Sequence, residues 1–92
     1  MENYEIPTHL RQAYIERRWV DLKNCHNALV SDDFAFLINF GHQLKGNAGT
    51  YGFDDLGIIG ERIEFFSKEK NKTELLILLE QFLKYMEQIK SD

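Results

Sequence analysis

The stretch Asp33-Phe34-Ala35-Phe36-Leu37-Ile38-Asn39-Phe40-Gly41-His42-Gln43-Leu44-Lys45-Gly46-Asn47-Ala48-Gly49-Thr50-Tyr51-Gly52 decides the fold. Its apolar residues recur at three and four positions, the period of one helix face, and no period-two alternation competes with it. Ser31-Asp32-Asp33 supplies side-chain oxygens that cap a helix start, and Gly52 suits a left-handed stop. The spacing therefore predicts a helix over about 33–51. At about 100° per residue, Phe34, Leu37, Gly41, Leu44, Ala48 and Tyr51 share an arc of roughly 100°, which is the core face. His42 falls about 130° from the centre of that arc and is expected to face solvent. Gly46 stands one turn above it, Gly49 follows on the same stripe, and Lys45 borders stripe and core. Each interior glycine costs about 0.5–1 kcal/mol relative to alanine. Gly41, on the core face, reads as a point of tight helix packing. Gly46 and Gly49 face away from the core, so the bare backbone beside His42 reads as room for a partner's close approach.

Outward from this helix the same period continues. Pro7 and Thr8 start a first helix over about 8–30, carried by Leu10, Tyr14 or Ile15, Leu22, Cys25 and Leu29. The part ahead of Tyr14 is open to a bend or to a separate short helix. Phe53-Asp54-Asp55 forms a turn with Asp54 as the expected cap of a third helix over about 54–68, which buries Leu56, Ile59, Ile63 and Phe66. Asn71-Lys72-Thr73-Glu74 reads as a capping box for a last helix over about 72–90. That helix buries Leu75, Leu79, Phe82, Met86 and Ile89, and its Lys84 and Lys90 suit the negative end of the helix dipole. Four amphipathic helices with short connections predict one all-α domain over 1–92, an antiparallel up-down four-helix bundle.

Composition narrows the function. A net charge of -4 argues against binding a nucleic-acid backbone, which favours a basic face. Arg17 and Arg18 are flanked by Glu16 and Asp21 and read as a solvated helix face. Cys25 is the single cysteine, so it has no internal disulfide partner, and its spacing from Leu22 and Leu29 reads as a small buried apolar residue. The apolar run Leu75-Leu76-Ile77-Leu78-Leu79 is far short of the ~20 residues a membrane span requires. The acidic start Met1-Glu2-Asn3-Tyr4-Glu5 lacks the profile of a signal peptide, and a soluble, cytoplasmic, monomeric domain is the expectation. His9 and His26 lie too far apart on one helix to share an ion with each other, and no metal site is expected from them and His42.

The run His42-Gln43-Leu44-Lys45-Gly46, followed by Asn47-Ala48-Gly49-Thr50-Tyr51-Gly52 and then Phe53 and Leu56, resembles the signature of the histidine-containing phosphotransfer (HPt) domain of multistep phosphorelays. The resemblance extends over the chain: Glu16-Arg17-Arg18 with Asp21-Leu22 is similar to the family's first helix, and Ser31-Asp32-Asp33-Phe34 to its lead into the histidine helix. It implies that His42 accepts a phosphoryl group from a receiver-domain aspartyl phosphate and passes it to another receiver, within a pathway headed by a hybrid sensor kinase. It further implies that Lys45 sits near the phosphoryl oxygens, that Gly46 leaves room for the receiver, and that Glu64 on the next helix bonds the other imidazole nitrogen. Lys68, one turn later, would approach the same region, and Ile38 and Lys68 are candidate docking residues. Asn47 departs from the Ser or Ala that the family often has there.

The chemistry suits those residue types. A neutral imidazole offers a lone pair on one nitrogen while the other keeps its proton, and an acceptor on that proton fixes which is which. Phosphoryl transfer passes through a loose transition state with charge spread over its oxygens, so position and positive charge assist it. No carboxylate cluster near His42 suits Mg²⁺, which is expected from the receiver, and no nucleotide-binding glycine motif is present. The implied role is a carrier with no cofactor of its own and no autonomous kinase activity. A domain that docks a receiver without relaying phosphate is the alternative, and the intact His42, Lys45 and Gly46 count against it.

Overall fold

A computed structural model describes residues 6–90; the acidic start at 1–5 and the side chain of Lys90 lie outside the described residues. Four helices follow one another: α1 (Thr8–Val30), α2 (Phe34–Asn47), α3 (Asp54–Lys68) and α4 (Lys72–Lys90), with a 3-10 turn at Gly49–Tyr51 between α2 and α3. The connections are short, each helix packs against its neighbours in sequence, and α4 closes the ring against α1. The result is an all-α four-helix bundle, 42 Å in its longest dimension. Its centre is filled by Leu37 and Leu44 of α2, Leu56 and Ile63 of α3, and Leu75, Leu79, Phe82 and Met86 of α4, all at most 1% exposed. Cys25 is fully buried among them, and burial pushes its thiol up to about 12, so it packs as a small apolar group.

The helix starts follow their capping residues. Asp33 accepts a hydrogen bond from the Phe36 amide at 3.1 Å, and Asn71 accepts one from the Glu74 amide at 3.1 Å. The Pro7 carbonyl accepts from the amides of Leu10 and Arg11 and opens α1, which runs unbroken from Thr8, so no separate short helix precedes Tyr14 among the described residues. Asp54 departs from its expected role: Phe53 holds the cap position, and Asp54 and Asp55 occupy the first turn of α3, where their charge suits the helix dipole.

Three helix stops share one geometry. At Gly52, Asp32 and Lys70 the chain turns through left-handed φ values of 85°, 58° and 54°. In each case the next residue's amide bonds back to a carbonyl five positions earlier: Phe53 to Ala48, Asp33 to Ala28 and Asn71 to Phe66. This is the Schellman stop. Only Gly52 signals it in the sequence, because glycine alone takes that φ without a Cβ penalty.

Four further expectations are corrected. The α-helix predicted over 33–51 ends at Asn47, because the backbone tightens into the 3-10 turn that feeds the Gly52 stop, so Gly49 does not continue the helical stripe of His42 and Gly46. Leu10 is 45% exposed and lies outside the buried core. Arg18 is buried, not solvated: it falls on the Tyr14–Leu22 face, its guanidinium lies 4.4 Å from the Tyr14 ring centroid, and its Nε donates to Asp21 at 2.7 Å. Phe34, Tyr51, Phe66 and Ile89 pack against the core from its margin and are only partly buried.

The tightest contact is between α2 and α3. A Cβ on Gly41 would meet the Glu64 amide nitrogen at 2.5 Å and the Gly60 carbonyl oxygen at 2.7 Å, and a Cβ on Gly60 would meet Leu44 Cβ at 2.8 Å. The two helices touch backbone to backbone at this crossing. Around Gly46, by contrast, nothing lies within 4 Å of an added Cβ. Urea denaturation is therefore expected to separate two identical substitutions in one helix. Gly41→Ala should destabilise by about 1–3 kcal/mol through overpacking, whereas Gly46→Ala should stabilise by about 0.5–1 kcal/mol. Lys70→Gly is expected to raise stability by up to about 1 kcal/mol by relieving the left-handed backbone; an unchanged or lower midpoint would contradict it.

Candidate functional site

His42 projects from the third turn of α2, away from the core, with its side chain 70% exposed. The side chain that meets it comes from α3. Glu64 Oε2 lies 3.3 Å from His42 Nδ1, and the Glu64 side chain is only 15% exposed. Its reach follows from the Gly41–Gly60 crossing, because Glu64 lies one turn after Gly60 and its own amide is the atom nearest Gly41. With Nδ1 turned toward α3, Nε2 is the nitrogen at the open end of the ring.

A lysine completes the row. Lys68 Nζ stands 3.4 Å from the same Oε2 of Glu64, and the two residues are four apart on α3. Burial by itself would raise the Glu64 carboxyl. The hydrogen bond and charge of Lys68, with the contribution of His42, outweigh it and hold the group below the usual carboxylate range. Lys45, one turn on from His42, is exposed and lines a shallow groove with Glu61, Glu64, Phe65 and Lys68. It makes no ion pair among the described residues.

The structure thus gathers His42, Lys45, Gly46, Glu64 and Lys68 around one imidazole. Gly46 leaves open space above the ring. Ile38, one turn earlier on α2, is half-buried at the edge of the same face. Gly49 is set apart: it lies in the 3-10 turn, and a Cβ there would stand 3.3 Å from Asp54 Oδ1. His9 and His26 are exposed on α1, and no cluster of three metal-ligating side chains occurs among the described residues.

Two supports of the site escaped the sequence reading. Gly60 is one; a glycine inside the third helix was a visible signal, but its counterpart Gly41 could be matched to it only in space. The other is Tyr14, whose hydroxyl donates to Asn47 Oδ1 at 2.6 Å and whose ring stacks on Tyr51 at 4.3 Å and on Phe53 at 5.5 Å. These contacts fasten the end of α2 to α1, and Asn47 finds its use there. No local pattern links positions 14 and 47.

Because its pKa is depressed on folding, Glu64 contributes stability that is present above the ordinary carboxylate pKa and is lost as pH falls through its lower folded value. In a carboxyl-detected NMR titration the Glu64 midpoint should lie below that of a free glutamate and rise in Lys68→Met. An unmoved midpoint would show that the lysine does not govern the charge.

The family model for the Hpt domain matches residues 9–92. No curated protein and no solved structure matches the chain. The match covers all four helices and the exposed histidine with its acidic neighbour, and the chain belongs to the Hpt domain family, the histidine phosphotransfer carriers of phosphorelay signalling.

Proposed function

We propose that His42 is the phosphorylated residue, receiving a phosphoryl group from the aspartyl phosphate of one response-regulator receiver domain and delivering it to another. The observation that carries this reading is the exposed ring with Glu64 held at Nδ1. A carboxylate accepting the Nδ1 proton leaves the Nε2 lone pair free and aimed outward. In the forward step that lone pair forms a P–N bond while the P–O bond to the aspartyl carboxylate breaks, and the departing carboxylate carries the electron pair away. The imidazole keeps its Nδ1 proton, and the positive charge that develops on the ring is balanced by Glu64. The reverse step regenerates the neutral nucleophile. Acyl phosphate and phosphoramidate are both high-energy, so transfer runs in either direction according to the partners' phosphorylation.

Lys45 supplies positive charge toward the phosphoryl oxygens, where charge spreads in the transition state. The Mg²⁺ and the other catalytic groups come from the receiver, and a hybrid sensor kinase stands upstream. Gly46, and less directly Gly49 at the end of the helix, keep the approach clear, and Ile38 offers an apolar contact at its edge. On this reading the chain is a single monomeric carrier domain acting in the cytoplasm, with no kinase activity and no cofactor of its own. The absence of a membrane-crossing helix among the described residues is compatible with that setting.

Incubation with a phosphorylated receiver should place acid-labile label on the parent chain and none on His42→Gln, with the helical circular dichroism of the two unchanged. Label on a folded His42→Gln would overturn the assignment. Lys45→Ala should slow transfer about tenfold, equivalent to ~1.4 kcal/mol, with docking to an unphosphorylated receiver retained. Gly46→Leu should instead abolish docking, and undiminished transfer in that variant would refute the role of the cleared space.

A further inference from the structure

We propose that Lys68 is a positioning residue that holds the Glu64 carboxylate turned toward Nδ1 of His42, so that Nε2 is kept as the nucleophilic nitrogen. The inference rests on the reading of His42 as the phosphoryl acceptor. The geometry points to it because one oxygen serves both partners: Glu64 Oε2 is 3.3 Å from His42 Nδ1 and 3.4 Å from Lys68 Nζ. Lys68 follows Glu64 by four positions, the order in which a helical Glu–Lys pair is favourable. The ionisable groups lining this groove are Lys45 of α2 and Glu61, Glu64 and Lys68 of α3, and only Lys68 lies within ion-pair distance of Glu64 besides the histidine itself.

The tautomer is the quantity at stake. An ionised carboxylate has acceptors and no donor, so against a neutral imidazole it can be satisfied only by an Nδ1–H, and Nε2 then carries the lone pair. A carboxylate that swings away leaves the ring without that acceptor, and the proton is then free to sit on Nε2, where the nucleophile is needed. The Glu64 side chain is only 15% exposed, so little water is left around its carboxylate to compete for it or to hold it in place. The ammonium of Lys68, itself 59% exposed, holds the shared oxygen in place from the other side without entering the core. Its positive charge also counters the pull of the carboxylate toward an imidazolium, which has no lone pair to attack with. Lys68 therefore acts through Glu64, without contact to the reacting atoms.

The test is a two-bond proton–nitrogen NMR correlation on uniformly nitrogen-15-labelled chain, at a pH where His42 is neutral, paired with transfer kinetics from a phosphorylated receiver. The parent and Lys68→Arg should show the Nδ1–H tautomer. Lys68→Met should show an admixture of Nε2–H and about tenfold slower acceptance of the phosphoryl group, ~1.4 kcal/mol, restored in Lys68→Arg. Affinity for the unphosphorylated receiver should change less than about twofold across the three. An unaltered tautomer in Lys68→Met would overturn the inference, and so would a loss of affinity that accounts for the slower transfer, since Lys68 would then be a docking contact. The tautomer is read without any phosphorylation. A parent chain that takes no label thus refutes the carrier function separately from the role of Lys68.

Discussion

The crossing of α2 and α3 at Gly41 and Gly60 is the contact on which the site depends. With a side chain at either position the two helices would be pushed apart, because each Cβ would fall under 3 Å from backbone or Cβ atoms of the other helix. Interiors packed at protein density do not absorb such a displacement locally. The consequence is felt one turn away, where Glu64 reaches His42 with little slack. A separation larger by an ångström would leave the imidazole without its acceptor. Glycine weakens a helix in isolation, yet here it brings two backbones close enough for one helix to orient a side chain of the other.

The remaining architecture steadies that crossing from both ends. Before α2, Asp33 caps the helix as it leaves the left-handed turn at Asp32, and Lys72 Nζ bonds Asp32 Oδ1 at 2.6 Å, tying the turn to α4. After α2, the Schellman stop at Gly52 reverses the chain into α3, while Tyr14 grips Asn47 and stacks on Tyr51 and Phe53. The histidine helix is thus pinned at both termini and crossed in the middle. Its outward face is left with an open backbone at Gly46 and an exposed charge on Lys45 that makes no ion pair among the described residues. Rigid on one side and uncluttered on the other is the arrangement a carrier needs: its nucleophile must be held, and everything else must come from the protein it meets.

Electrostatics gives the site its direction. The charges beside His42 alternate in sign along α3, with Glu64 between the imidazole and Lys68. An ion pair with its lysine at the surface adds little to stability. On the reading proposed above its value lies in selecting a tautomer, because a carboxylate held at Nδ1 can only accept a proton from a neutral ring.

Much of this was legible in the sequence, and the boundary of what was legible has a physical cause. Helix number and type, the core faces of α2, α3 and α4, the Asp33 and Asn71 caps and the Gly52 stop all follow from interactions that span five residues or fewer, which is the range over which sequence pattern and structure correspond. The outward direction of His42 belongs to the same class, since a helix wheel fixes it once the apolar arc is known. What the wheel could not supply was the point where α2 gives way to a 3-10 turn, which displaced Gly49 from the histidine stripe, or the burial of Arg18, whose long stem suits either water or a tyrosine face. The partnership of Gly41 with Gly60, the grip of Tyr14 on Asn47 and the sharing of one Glu64 oxygen between His42 and Lys68 were decided only by the tertiary structure. Each joins residues brought together by chain reversal, and a contact of that kind leaves no periodic trace in the sequence on either side of it.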